Sequence, residues 1–256
     1  MTSNYQSIAY FTTLNNDLVV EGGVLKFDAF NSVRRKSAIC RLSLYDPAGD
    51  IASVCEKGVD LALAWSINAA EQVRIFTGKI ADYTTPERER VDIVAANAYN
   101  LALTRKLTMT LSKMSATEML TTLAGELGIP ADGIAEHDDT VNHLPLYRMT
   151  MDQAVAALNR KLKVDYDAYV NEDGVFVWAP RDLSQDPAHE FEEGVDLLEF
   201  DEEGKRFVTW GADLRLCQIV TILDHEDVSH TGIITDLRYA TGDDGSIIEA
   251  WYEAIE

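Results

Sequence analysis

Two stretches of this 256-residue chain gather side chains able to bind a metal or move a proton. "DHEDVSH" holds Asp224, His225, Glu226, Asp227 and His230, and "EHDDTVNH" holds His137, Asp138, Asp139 and His143. Imidazole and carboxylate suit Zn²⁺, and a strand-loop-strand could bring the two histidines of the first stretch together. Neither has the helical H-E-x-x-H spacing that sets two imidazoles on one face. The first lies between two strand-like runs and reads as a polar hairpin tip. The second follows a helical pattern, and its Asn and paired Asp residues suit a turn-rich connection. Neither is expected to hold a metal.

Carboxylate chemistry is no easier to place. With 43 Asp and Glu residues, candidate pairs for glycoside hydrolysis are too many for any one to stand out. The chain contains no G-x-S-x-G elbow, no phosphate-binding Walker loop and no G-x-G-x-x-G. We therefore assign no catalytic, cofactor-binding or metal-binding residue, and the protein is expected not to be an enzyme.

The 43 acidic residues face 22 basic ones, a formal net charge of -21. Such a surface repels nucleic acid and anionic membranes, and it also confers solubility. The basic run Arg34, Arg35, Lys36 is too short to reverse this and reads as a hairpin loop, with docking to an acidic partner as a second use. No run of about 18 uncharged apolar residues occurs, and the N-terminal stretch lacks a basic region followed by an apolar one. Neither membrane insertion nor a secretory signal is expected. Cys40, Cys55 and Cys217 are odd in number and far apart, as expected of reduced core thiols. Trp65, Trp178, Trp210 and Trp251 fall in strand-like runs and are expected to anchor a core or a subunit interface.

The elements that must position all of this are mostly strands. From Ile8 to about Ala98, period-two patterns and short apolar runs alternate with turn residues such as "DPAGD" and "EGG", while "TTPERER" at Thr84–Arg90 reads as a charged loop. "NAYNLALTRKL" reads as a short helix or a bend. Ser115 and Glu118 then form a capping box, with Met119, Leu120, Leu123, Ala124 and Leu127 on one apolar face and Gly128 and Pro130 as the stop. Thr150 and Gln153 repeat the device ahead of Met151, Ala154, Val155, Leu158 and Leu162. In "VDYDAYV", Val164, Tyr166, Ala168 and Val170 alternate with polar residues until Tyr169 breaks the pattern. A turn at "NEDG" returns the chain through "VFVWAP", with Trp178 placed to close the small core. Asp182 to Glu203 reads as an acidic loop, followed by four further strands.

In order and spacing, "IFTGKIADY", "SATEMLTTLAGELGI", "TMDQAVAALNRKLKVDYDAYVNEDGVFVWAP" and "GIITDLRYATGDDGSIIEAWYEA" resemble the baseplate hub proteins of contractile-tailed bacteriophages, the late control protein D group. Those are related to the hub portion of type VI secretion spike proteins. The resemblance spans most of the chain. It departs where "LRLCQIVTI" lacks a Pro-Gly turn and where Tyr239 stands near a position often held by histidine. The resemblance implies an α+β, mainly β fold, with two tube-type β-barrel domains and a small α/β domain between them. The corresponding divisions are 1-106, 107-185 and 186-256. It implies a homotrimer around a channel in the tail baseplate of a virion assembled in the bacterial host cytoplasm, with a tail tube protein on one side and a spike protein on the other. DNA would pass without stable binding. Two other readings of a tail-associated chain are a peptidoglycan hydrolase and a tube-terminating adaptor.

Overall fold

The computed structural model describes residues 8–15, 18–34, 37–67, 71–181, 188–210, 212–242 and 245–255. The first block is β1 (Ile8–Leu14), β2 (Leu18–Glu21), β3 (Val24–Ser32), β4 (Ile39–Tyr45), helix α1 (Asp50–Val54), β5 (Asp60–Ile67), β6 (Val73–Glu87) and β7 (Arg90–Ala96). The middle block is α2 (Tyr99–Thr104), β8 (Leu107–Leu111), β9 (Met114–Ser115), α3 (Ala116–Leu127), β10 (Gly133–Ile134), β11 (Thr140–Val141), β12 (Leu144–Met149), α4 (Met151–Leu162), β13 (Asp167–Val170) and β14 (Phe176–Ala179). The last is β15 (His189–Glu192), β16 (Leu197–Asp201), β17 (Arg206–Trp210), β18 (Ile219–Leu223), β19 (Ser229–Gly242) and β20 (Gly245–Ala254).

The fold is mainly β, and its first and last blocks share one sheet. Thirteen strands run β16-β17-β20-β19-β3-β4-β7-β6-β5-β1-β2, with β18 and β15 branching from β19. The seam is the antiparallel pairing of β19 with β3, from Asp236 opposite Ser32 to Ala240 opposite Asp28. The sheet curls so that distant strands share one core. Trp65 on β5 packs edge-on against Tyr239 on β19 with ring centroids 5.3 Å apart, and Asn31 on β3 donates to the Ile75 carbonyl on β6 at 2.8 Å. No closed barrel is formed among the described residues.

Two segments read as loops are ordered. β6 continues through Pro86 into its hairpin with β7, so most of "TTPERER" is strand. Within the acidic stretch, β15 and β16 form, each burying one apolar side chain, Phe191 and Leu197. The short α1 was not anticipated. Buried Asp46 builds it by accepting hydrogen bonds from the backbone N–H groups of Ile51 and Ala52 at 3.2 and 2.8 Å.

The middle block has its own apolar core, formed by residues from Tyr99 to Trp178. Both capping boxes close: Ser115 Oγ accepts from Glu118 N at 3.2 Å and Thr150 Oγ1 from Gln153 N at 3.3 Å, with each N3 side chain accepting from its cap N–H in return. The apolar stripe of α3 is buried as its spacing requires, and on α4 Met151, Ala154, Val155 and Leu158 are buried while Leu162 is half-buried. Gly128 ends α3 at φ 70, and Lys163 ends α4 at φ 59.

Candidate functional site

Asp224 to Val228 of "DHEDVSH" form the loop of the β18-β19 hairpin, and Ser229 and His230 open β19. Asp224 Oδ1 accepts from the N–H groups of Glu226 and Val228 at 2.8 and 2.9 Å, and its Oδ2 lies 2.8 Å from His230 Nε2. The His230 contact and the Val228 amide hold the Asp224 carboxyl down at about 2. His225 turns away to Glu193, 3.1 Å from its Nδ1, and that carboxylate holds the imidazole pKa up. The cluster is thus divided between two separate His-carboxylate pairs, and its best-held oxygens are used on backbone amides.

The second cluster is also dispersed. His137 packs its ring against Tyr166 and Trp178, at 6.0 and 5.9 Å, whereas Asp138, Asp139 and His143 are exposed. Arg34 reaches Glu253 at 3.3 Å; Arg35 and Lys36 lie outside the described residues. Trp65 and Trp178 are fully buried in the two cores, and Trp178 Nε1 donates to Asn159 Oδ1 on α4 at 2.8 Å. Trp210 and Trp251 sit on the outward sheet face, Trp251 beside Phe30. All three cysteines are free and buried, and burial pushes each thiol up, Cys55 and Cys217 to about 11.

Sequence reasoning missed what the outward sheet face does carry. Glu199, Arg206, Glu249, Arg238 and Asp28 form a charge ladder across five adjacent strands, β16, β17, β20, β19 and β3. Arg206 pairs with Glu199 at 2.8 Å and also with Glu249, and Arg238 reaches Glu249 at 3.2 Å. Across the seam, Arg238 donates from Nε and Nη2 to both oxygens of Asp28 at 3.0 Å each, a bidentate fork that fixes distance and register together. Ser32 Oγ adds a 2.5 Å hydrogen bond to buried Asp236. Alternation marks these residues as outward polar positions, but Asp28 and Arg238 are 210 residues apart and nothing local joins them.

A cleft of about 620 Å³ separates the β13-β14 hairpin from the loop before β18, and its lining includes Asp167, Glu172, Arg181, His189, Asp213 and Arg215. Charge is the main chemistry available there. Arg181 grips Asp167 at 2.5 and 2.9 Å, and Arg215 spans Asp213 at 3.3 Å and Asp173 at 3.6 Å.

This curled sheet with an inserted helical unit is a fold found among phage tail and type VI secretion proteins. The 43 kDa tail protein of prophage MuSo2 from Shewanella oneidensis superposes with a TM-score of 0.72 at 11% identity, covering 96% of this chain and 98% of that one. The tail protein from Neisseria meningitidis MC58 gives 0.70 at 10% identity, with 96% of each chain covered. The Escherichia coli c3393 protein, a component of the type VI secretion system with structural similarity to T4 tail proteins gp27 and gp5, gives 0.63 at 9%, covering 96% and 77%. No protein-family profile and no curated protein sequence matches the chain.

Proposed function

We propose that this chain is a structural tail protein, a trimeric baseplate hub that joins the tail tube to a spike and surrounds a channel. The observation that carries the reading is the end-to-end superposition on a prophage tail protein, 96% of one chain on 98% of the other, where so little sequence is shared. The c3393 likeness supports the spike side, since that protein belongs to a secretion system and resembles tail components. On this reading 1–106 and 186–256 supply two tube-type barrel units, and 107–185 is the α/β unit that braces them. The seam ladder suits a part that transmits load between those units. Three chains carry 3 × (-21) = -63 formal charges, so carboxylates on a channel wall let DNA slide without multivalent phosphate contacts.

The test is the mass in solution at several protein and salt concentrations, with duplex DNA titrated in parallel. A trimer that strengthens with salt follows from screening of like charges over about 8–10 Å, and no duplex binding is expected even at low salt. A strict monomer at every condition, or tight duplex binding, overturns the hub. A six-membered ring supports a tube-terminating adaptor instead, and clearing of cell-wall suspensions supports a hydrolase.

A further inference from the structure

The tip of the β13-β14 hairpin buries a carboxyl group. The turn closes locally, with Gly174 N donating to the Asn171 carbonyl at 3.0 Å and Val175 N to Asn171 Oδ1 at 2.9 Å. Glu172, inside that turn, is only 2% exposed. Its Oε1 accepts from the N–H of Leu216 at 3.2 Å, in the loop leading to β18. That loop is firmly held. Tyr239 Oη donates to the Leu214 carbonyl at 2.6 Å, and Arg215 N donates to Gln218 Oε1 at 3.1 Å. Beside Glu172, Gly174 lies close against Thr77 of β6, so the hairpin tip meets both the main sheet and the loop before β18.

The surrounding charges leave Glu172 short of cations. On its own hairpin are Asp173, Tyr169 and, further down, Asp167, which is taken by Arg181. From the facing loop come Asp213, Arg215 and Cys217; from β19, Tyr239; across the cleft, His189. Arg215 is the nearest cation, and its guanidinium is directed to Asp213, Asp173 and the Arg74 carbonyl on β6. A neutral Glu172 keeps its hydrogen bond from Leu216 through its carbonyl oxygen and needs no counter-charge. An ionised one must share a single guanidinium with two other carboxylates while almost wholly buried itself.

We propose that Glu172 is a proton-operated latch that seats the β13-β14 hairpin, and with it the helical unit, on the main sheet when neutral and loosens that junction when ionised. This does not depend on the tail-hub reading. Burial is the main cause that raises the carboxyl pKa from 4.5 to about 7, against the opposing pull of backbone N–H groups and Arg215. Because the seated value lies above that of a solvated carboxyl, the latch is strongest below 4.5 and weakens as pH rises through 7. Between pH 5 and pH 8 the opening equilibrium of the hairpin shifts roughly 70-fold toward the open form.

Hydrogen exchange of the full chain from pH 5 to pH 8, corrected for intrinsic exchange rates, reads this directly at the Leu216 amide and at hairpin amides 169–178. Wild type is expected to lose protection as pH rises, while Glu172→Gln, neutral throughout, stays protected. A carboxyl-carbon NMR titration of the wild type needs no variant and should place the Glu172 midpoint near 7. A midpoint below about 5.5, or a Glu172→Gln protein whose hairpin follows the wild-type pH dependence, overturns the latch.

Discussion

Replacing Leu158 by Ala tests whether the inserted unit is held together by a packed core. Leu158 is fully buried on α4, the helix that packs on α2, α3 and β12. The cavity has little freedom to collapse, because Asn159, the next residue, is tied to Trp178 Nε1 and to the Tyr166 carbonyl at 2.8 Å each. Losing the buried side chain forfeits about 1.5–3 kcal/mol of transfer free energy, and the rigid cavity adds to that. The better helix propensity of Ala returns only a few tenths of a kcal/mol. We expect a loss of about 3–4 kcal/mol. Urea unfolding at fixed protein concentration, followed by tryptophan fluorescence and circular dichroism, should show a lower midpoint with an unchanged slope. Arg160→Ala on the exposed side of the same helix is the control and should stay within about 0.5 kcal/mol. A Leu158→Ala loss that small would refute the core assignment.

Two further substitutions probe the main sheet. A Cβ added at Gly78 on β6 would lie 2.8 Å from the Ala96 carbonyl carbon and from Phe76 Cζ, so Gly78→Ala should cost about 1–3 kcal/mol in the same urea assay. At the β18-β19 hairpin, Asp224 is held at about 2 against an ordinary 3.8, so the order it supplies is present above the ordinary value and is lost as pH falls toward 2. Protection of the Glu226 and Val228 amides should fade between pH 4 and pH 2, and Asp224→Asn should flatten that dependence.

The parts legible in the sequence are those whose physics is local. A capping box spans three residues and an apolar stripe one helix, so Ser115 with Glu118 and Thr150 with Gln153 announced α3 and α4 with their buried faces. The hairpin loop at "DHEDVSH" was equally readable, because strand candidates flank it. Elsewhere the signal was absent for identifiable reasons. The end of β6, from Thr84 to Glu87, is exposed, so no burial alternation survives to mark it as strand. β15 and β16 each bury one apolar residue within an acidic run, too little to stand out from a loop. The seam could not be foreseen, because Asp28 and Arg238 acquire their meaning only when β3 and β19 pair.

One irregularity in the sequence becomes informative once the fold is known. Along "VDYDAYV" the period-two pattern fails at Tyr169, where a polar residue would belong if one face of the hairpin met water. Both faces are covered. Ala168, Val170, Phe176 and Trp178 point into the core of the helical unit, while Tyr169 and Val177 pack against the core of the main sheet. The hairpin is therefore a shared wall, and Glu172 at its tip is buried for the same reason that Tyr169 is apolar. The two capped helices fix one face of that wall, and the main sheet fixes the other. A motion of the helical unit relative to the main sheet would disturb the contacts of this wall on both of its faces. The charge ladder ties the β3-β19 seam, while the hairpin junction combines Tyr169 and Val177 against the main-sheet core, Arg181 bridging Asp167 to Glu253 on β20, Arg215 reaching Asp173, and the buried carboxyl of Glu172.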